Sequence, residues 1–570
     1  MSSSPTSSLT FTTVFAGLFL VWALKTVIQL IRALRDPAIR SSPGRGVLLY
    51  NPFGGLSLAT DRWSPMKWRF HDYHDMFNLY AHYGSTILSS VVLWSGERVY
   101  WIGDGDAIKT IANKRDVFGK DMNAYEPVLN IWGSSIITTE GAEWKAHKGI
   151  VKTAFNEANN ALVWKETSRI MSEWVTAKEK EKAGEFVDVD LLSDMTVIAM
   201  QVIQAAAFGR RPSWAESSSK LGHDTGKLMP FEESLSASAD NLIQRSLTPN
   251  WVIDIAEKVD IPQLKMIRQS FKNIEAHMMD LVRLARVWVD QGEGSEEKRL
   301  DAALLRNLVE ANSKEDGKKL NDGELLTNTF IFLVAGHETS AHSLCFMVAF
   351  LAIYPDIQRK VREEVLSVAN GDDSSLDYKD MSKLIYTTAV FHESSRLCTI
   401  TPRFGRVALS DTILRGKRFK PGFEDYEEFP VHIKRGSQVI MDLSSVHMNR
   451  RSTLRLVLRA AHNEMLALHW GSDVDEFKPE RFIDTDTYRW PRDAFVAFSA
   501  GPRSCIGRTF ATTEVLCIVA NLVKEYDILP PADLRGKSFE EQKSITEWKT
   551  WITTTPSNAR VSLRRRTRSC

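Results

Sequence analysis

The sequence predicts a mainly α-helical protein with a small β subdomain, preceded by one N-terminal transmembrane helix. Three observations carry this reading. Leu9–Leu24 (LTFTTVFAGLFLVWAL) holds no charge. From about Trp68 onward, long amphipathic stretches such as Ile267–Gln291 and Glu324–Ile353 dominate. Runs of β-like composition appear near Thr86–Ile102, Arg403–Leu414 and Ser437–Leu443, and they are short.

The N-terminal segment needs its length justified. At about 1.5 Å per residue, Leu9–Leu24 falls short of a hydrocarbon core of roughly 30 Å. Continuing to Ile31, past a Lys25 whose amine snorkels to the headgroups, makes it sufficient. Lys25, Arg32, Arg35, Arg40 and Arg45 all follow the apolar run and no charged side chain precedes it, so the positive-inside rule leaves the rest of the chain in the cytosol. A cleaved secretory signal is the alternative, but its basic n-region and small-residue cleavage site are missing. Residues 1–35 are thus expected as a membrane anchor and residues 36–65, with Pro37, Pro43 and Pro52, as a hinge. Residues 66–570 form one large domain in this division. Charged, Gly-containing stretches at Gly292–Lys298 and Asn312–Gly323 read as loops, and the basic tail Arg560–Arg568 as a solvated end.

Composition excludes several function classes. The 43 % hydrophobic content in 570 residues supports a sizeable core, and a net charge of +1 is far from the basic excess of a nucleic-acid binder. Five scattered cysteines without a CxxC pair give neither a disulfide framework nor a zinc site, which points to a reducing compartment. No glycine-rich dinucleotide or P-loop motif occurs. His337-Glu338 resembles the start of a zinc-protease helix, but position 341 is Ala rather than a second His.

The most informative stretch is Phe498-Ser-Ala-Gly-Pro-Arg-Ser-Cys-Ile-Gly507, where a Gly/Pro loop gives way to the helix-like run Ile506–Tyr526. A cysteine at a helix start sits in positive potential, which favours the thiolate, the form that ligates metals. Gly501 allows a tight turn whose N–H groups point at the sulfur, and Gly507 permits close approach of a flat cofactor. Phe498 supplies an apolar wall, and Arg503 a planar fork suited to a carboxylate. A lone cysteine is most often just buried, so the weight rests on the whole pattern.

This F-x-x-G-x-R-x-C-x-G pattern is similar to the haem-binding loop of cytochromes P450, and the chain resembles the fungal membrane-bound microsomal members. The resemblance runs from about Trp68 to the C-terminus and implies the P450 fold. It implies haem b with Cys505 as the axial thiolate ligand, and Phe498, Gly501, Arg503 and Gly507 as cofactor-binding residues. Three further segments match family landmarks in the expected order. Ala335-Gly336-His337-Glu338-Thr339-Ser340 lies in an apolar helix, where Gly, an acid and hydroxyls are poor choices unless the helix opens locally. The resemblance assigns Glu338 and Thr339 to proton relay during dioxygen activation. Glu393-Ser-Ser-Arg396 with Pro479-Glu480-Arg481-Phe482 implies a buried structural charge network. Trp144-Lys-Ala-His-Lys148 resembles the W-x-x-x-R propionate clamp, with Lys in place of the usual Arg. Arg406 matches another propionate position, with Arg403 as its substitute.

One departure stands out. His447-Met-Asn-Arg450 and Leu468-His-Trp-Gly471 are separated by an extra segment, about 451–466, whose removal restores the family spacing. It is either a surface insertion or a gene-model artefact such as a translated, unspliced intron.

The resemblance implies a haem-thiolate monooxygenase that oxidises a small lipophilic substrate with O2 and NADPH-derived electrons, in secondary-metabolite biosynthesis such as that of terpenoids. Its implied partners are NADPH–cytochrome P450 reductase, cytochrome b5, membrane lipid and the substrate, and its implied place is the endoplasmic reticulum membrane, single-pass, with the catalytic domain cytosolic. The alternatives are a reductase-independent haem-thiolate isomerase or dehydratase and a non-catalytic haem protein.

Overall fold

A computed structural model describes residues 6–566, apart from 45, 49–50, 53–76, 182–184, 215–228, 256–260, 291–302, 315–318, 372–373, 420–425, 450–469, 471–472 and 551–552. The extra segment and the loop expected at Gly292–Lys298 therefore lie outside the described residues. The helices that matter below are α1 (Thr6–Arg35), α2 (Pro37–Arg40), α3 (Gly141–Ala154), α4 (Glu157–Glu181) and α5 (Leu191–Phe208). They continue with α6 (Pro262–Asp290), α7 (Asp322–Ile353), α8 (Ile385–Leu397) and α9 (Arg508–Glu525). The strands are β1 (Gly46–Leu48), β2 (Ile87–Val92), β3 (Arg98–Ile102), β4 (Phe118–Gly119), β5 (Phe186–Asp190) and β6 (Arg403–Ala408). Next come β7 (Thr412–Phe419), β8 (Tyr426–Ile433) and β9 (Gln438–Asp442), and finally β10 (Tyr526–Leu529), β11 (Trp548–Thr550), β12 (Thr554–Pro556) and β13 (Arg560–Arg565).

Contacts divide the chain into two compact units. The first comprises residues 1–121, 403–472 and 500–502. Its six-stranded sheet runs β1-β2-β3-β9-β6-β4, with a separate β7–β8 hairpin. The β-branched and aromatic residues of Ile87–Val92 and Arg98–Ile102 form an antiparallel pair in the register Ile87↔Ile102. The expected hinge is built structure where it is described. Asp36 caps α2 by accepting from the Ala38 N–H at 2.8 Å, and β1 pairs in parallel with β2. Pro37 stands at the start of α2, where its missing N–H costs nothing, while Pro43 and Pro52 lie in a bend and a turn.

The second unit comprises residues 122–402, 473–499 and 503–570 and is a helical core. Asn321 and Glu324 form a reciprocal capping box at the start of α7, with N···O distances of 3.0 and 2.9 Å. The expected loop Asn312–Gly323 is accordingly shorter, because a helix over Ala303–Lys314 claims one end and α7 the other. α7 ends before Pro355, as the residue preceding proline avoids helical backbone. α5 is apolar enough to cross a membrane, but it is mostly buried and serves as a core helix; the Ala16–Arg35 part of α1 is equally apolar and mostly exposed. The C-terminal arginines are corrected too: Arg560–Arg565 is the central strand of the β10-β13-β5 sheet. Arg564 pairs with Asp527 at 3.0 Å and Arg565 with Glu525 at 2.7 Å.

Candidate active site

The cysteine loop is closed by a hydrogen bond from the Cys505 N–H to the Phe498 carbonyl at 2.9 Å. Gly501 has φ +69°, and a Cβ there would stand 2.8 Å from the Ala112 carbonyl oxygen, so only glycine fits this turn. Phe498 is half-buried, its ring 6.2 Å from that of Phe391. Among the described cysteines Cys345, Cys398 and Cys517 are buried, while Cys505 is accessible. The helix start expected beside the cysteine is present. α9 begins at Arg508, with Gly507 as its cap, and helix-end potential fades within a turn. Surrounding protein desolvates the thiol and pushes it up, against the opposing pull of the Gly507 N–H and the Arg508 charge.

Arg503 does not wait with a free fork. Its Nη1 donates to the Ile136 carbonyl at 2.9 Å and Nη2 to the Thr139 carbonyl at 2.6 Å. Nη2 also meets the Glu140 carboxylate at 2.7 Å. The guanidinium lies 4.3 Å from the Trp144 ring centroid, and Lys148 Nζ lies 4.9 Å from the same ring. Trp144, Lys148 and Arg503 are thus brought together around one buried indole. Arg406 is buried on β6 in the first unit, opposite Val439. Its neighbour Arg403 is committed to Asp442, Nε to Oδ2 at 3.2 Å.

On α7, the Thr339 hydroxyl donates to the Ala335 carbonyl at 2.7 Å, and Glu338 accepts from the Thr553 hydroxyl at 2.8 Å. The helix continues without interruption through these residues, contrary to the expected local opening. Gly336 has a packing explanation: a Cβ there would lie 2.3 Å from Ile203 Cδ1 of α5. The stretch is still special in exposure. α7 is buried over nearly all its length, yet Ala335 is exposed and Gly336, Glu338 and Thr339 are half-exposed.

The charge network closes in the second unit. Arg396 grips Glu393 with two bonds of 2.6 and 2.8 Å, both side chains fully buried. Arg481 Nε approaches the same carboxylate at 3.3 Å and reaches Asp473 at 2.7 Å. Burial works against the Asp473 charge, but bonds from Arg481 and Lys478 hold its carboxyl down at about 2.

Two groups escaped the sequence reading. Glu514, on α9, is completely enclosed, and burial pushes its carboxyl up to about 8 while a hydrogen bond with Ser340 of α7 pulls the other way. An acid inside the apolar run Ile506–Tyr526 was the available signal. His147 Nε2 stands 3.6 Å from Glu324 Oε1 and links α3 to α7, a pairing 177 positions apart that no local pattern announces.

The donor set fits a haem: one accessible soft sulfur on a glycine-shaped loop, an aromatic beside it and clustered cations for carboxylates. The comparisons decide the family. The Cytochrome P450 family profile matches residues 63–452 and 465–555. The chain belongs to the cytochrome P450 family. This P450 is 34 % identical over 523 residues to "Cytochrome P450 monooxygenase 124" of Postia placenta, covering 91 % of this chain and 90 % of the relative. It is 25 % identical over 420 residues to a "Bifunctional cytochrome P450/NADPH--P450 reductase" of Bacillus cereus, covering 73 % of this chain and 34 % of the relative. With the "Cyclooctat-9-en-7-ol 5-monooxygenase" of Streptomyces melanosporofaciens it shares 23 % identity over 438 residues, 76 % of this chain and 81 % of the relative. It is an oxidoreductase whose cofactor is haem with an axial cysteine thiolate. The profile leaves residues 453–464 unmatched, within the extra segment. The rings of His447 and Trp470, on either side of that segment, stand 6.3 Å apart.

Proposed function

We propose that this P450 is a membrane-anchored monooxygenase that inserts one oxygen atom from O2 into a small lipophilic substrate, with Cys505 as the haem ligand. The observation that carries this is the accessible Cys505 thiol on a loop matching the family's fixed positions, in a second unit that also holds the partly exposed Ala335–Thr339 face of α7. Bound haem supplies dioxygen activation and two-electron oxidation. Trp144, Lys148 and Arg503 gather cationic and aromatic surface for the propionates, with Arg406 as a further cation. Arg503 Nη2 is already neutralised by Glu140, so Lys148 carries more of the charge recognition, and it does so without a bidentate fork. Glu338 and Thr339 hold and pass the protons that the reaction consumes; both keep solvent-reached surface from which protons are replenished.

Electrons come from an NADPH–cytochrome P450 reductase, an activity that the name of the Bacillus cereus relative joins to a P450, with cytochrome b5 as a second donor. The bacterial relative whose name joins both activities is matched over only a third of its length. An apolar α1 suits a single-pass anchor in the endoplasmic reticulum membrane, and a substrate drawn from the bilayer suits that anchor. A cyclic-alcohol monooxygenase among the relatives favours terpenoid-like substrates of secondary metabolism. Residues 453–464, which the family profile leaves unmatched, belong to the segment whose removal restores the family spacing.

Reconstitution with reductase and NADPH tests the reading against a panel of terpenoids, steroids and fatty acids. A product one oxygen atom heavier, dependent on reductase, is expected for at least one class. Turnover of substrate without reductase or NADPH would replace it with the isomerase or dehydratase reading. In Thr339→Ala, NADPH consumption is expected to persist while product falls and hydrogen peroxide rises. Unchanged coupling of NADPH to product would remove Thr339 from the relay.

A further inference from the structure

The C-terminal half of α1 lies against the turn joining β2 and β3, both within the first unit. Trp22 and Trp94 stack there with ring centroids 5.2 Å apart and planes at 19°. Each stays well exposed, 46 % and 41 %. Gly96 in the same turn has φ +67°, and a Cβ on it would stand 3.4 Å from Gln29 of α1, so glycine allows the turn to approach the helix. Beside this contact is a groove of about 570 Å³, lined among others by Gln29, Arg32, Arg35, Ser95, Gly96 and Arg98.

The groove is electrostatically one-sided. Among the described residues its one carboxylate is Asp36, taken up by Arg98, whose Nε donates to it at 2.9 Å and whose Nη2 reaches the same oxygen. Arg32 and Arg35 are exposed, and no described residue pairs with either. Two guanidinium charges are left without a counter-charge at the end of an apolar helix. Ten residues separate Trp22 from Arg32, about 15 Å along the helix axis. Over that distance α1 shows exposed Leu24, Val27, Ile28 and Ile31. Juxtamembrane arginines attract anionic headgroups, and the exposed apolar residues of α1 on the Trp22 side of them suit acyl chains.

We propose that this groove binds one acidic phospholipid, its phosphate held between Arg32 and Arg35 and its acyl chains lying along α1 toward the Trp22–Trp94 pair. The site rests on the reading of α1 as a membrane anchor. Guanidinium forks match phosphate oxygens in pairs, so the site discriminates against zwitterionic lipid, whose own ammonium competes for the phosphate. The ordered contact between the β2–β3 turn and α1 gives the lipid a fixed wall, which a diffuse basic tail would not.

The test uses full-length, haem-loaded protein in phosphatidylcholine nanodiscs doped with spin-labelled phosphatidic acid or spin-labelled phosphatidylcholine, read as the motionally restricted fraction by electron paramagnetic resonance. Wild type is expected to prefer phosphatidic acid roughly tenfold. Arg32→Gln/Arg35→Gln should bring the two lipids to near parity, while Arg359→Gln/Lys379→Gln, which removes the same charge from exposed residues of the second unit, keeps the preference. A preference that survives in the first double variant, is absent in wild type, or is lost equally in the second overturns the site. Displacement of the restricted lipid by excess inorganic phosphate would show a free-phosphate site instead. Co-elution of protein with the discs is scored separately: protein that never incorporates overturns the anchor, and the lipid site with it.

Discussion

Glu514 and Cys505 stand nine positions apart in the sequence, and burial pushes both up, with different consequences. A glutamic acid at about 8 in the folded chain, against an ordinary 4.5, is neutral in the native state near pH 7. Its raised value makes folding most favourable below about 4.5, and that contribution is lost as pH rises toward 8. Glu514→Gln should therefore leave the melting temperature unchanged at pH 5 and raise it at pH 8, flattening the profile between them. Equal shifts at both pH values would show that the carboxyl does not titrate in that window. Cys505 was legible because the residues that define its loop are neighbours in sequence. Glu514 was not singled out, because its meaning comes from Ser340 on another helix. Arg503 was legible as a cation beside the cysteine, whereas its commitment to Glu140 and to the carbonyls of Ile136 and Thr139 depends on tertiary packing.

At the scale of elements, α7, α8 and the Pro479–Phe482 turn determine whether the second unit holds its shape. Arg396 and Glu393 sit at zero exposure with five hydrogen bonds or ion contacts among Arg396, Glu393, Val474, Lys478 and Arg481. Removing one partner leaves an uncompensated buried charge, so Glu393→Ala is expected to cost roughly 3–5 kcal/mol, measured by chemical denaturation of the haem-loaded protein. A loss below about 1 kcal/mol would mean that water reaches the pair. The run that became α6 was readable from its period, whereas α7 is apolar on nearly every face and was readable from its length and apolar character. The C-terminal arginines were misread for a physical reason: an Arg-rich strand looks solvated until its partners, Asp527 and Glu525, are placed beside it. Deleting residues 453–464 tests the extra segment; haem content and melting temperature should be unchanged within error. Loss of haem on deletion would show that the segment is part of the catalytic core.

At the scale of the whole molecule, the proposed anchoring by α1 and the oxidative chemistry can be tested separately. Truncation before Asp36 should move the protein from the membrane to the soluble fraction of a cell lysate while its haem content is kept. Retention in the membrane fraction would point to a second attachment surface, with Trp94 the first place to look because of its exposure. The catalytic claim converges on one sulfur, and the ferrous–CO difference spectrum reads it directly. Wild-type protein is expected to give the strongly red-shifted Soret band of a thiolate-ligated haem, and Cys505→Ala to lose that band. A wild-type spectrum without the shift in folded, haem-loaded protein, or a Cys505→Ala spectrum that keeps it, would contradict the assignment of Cys505.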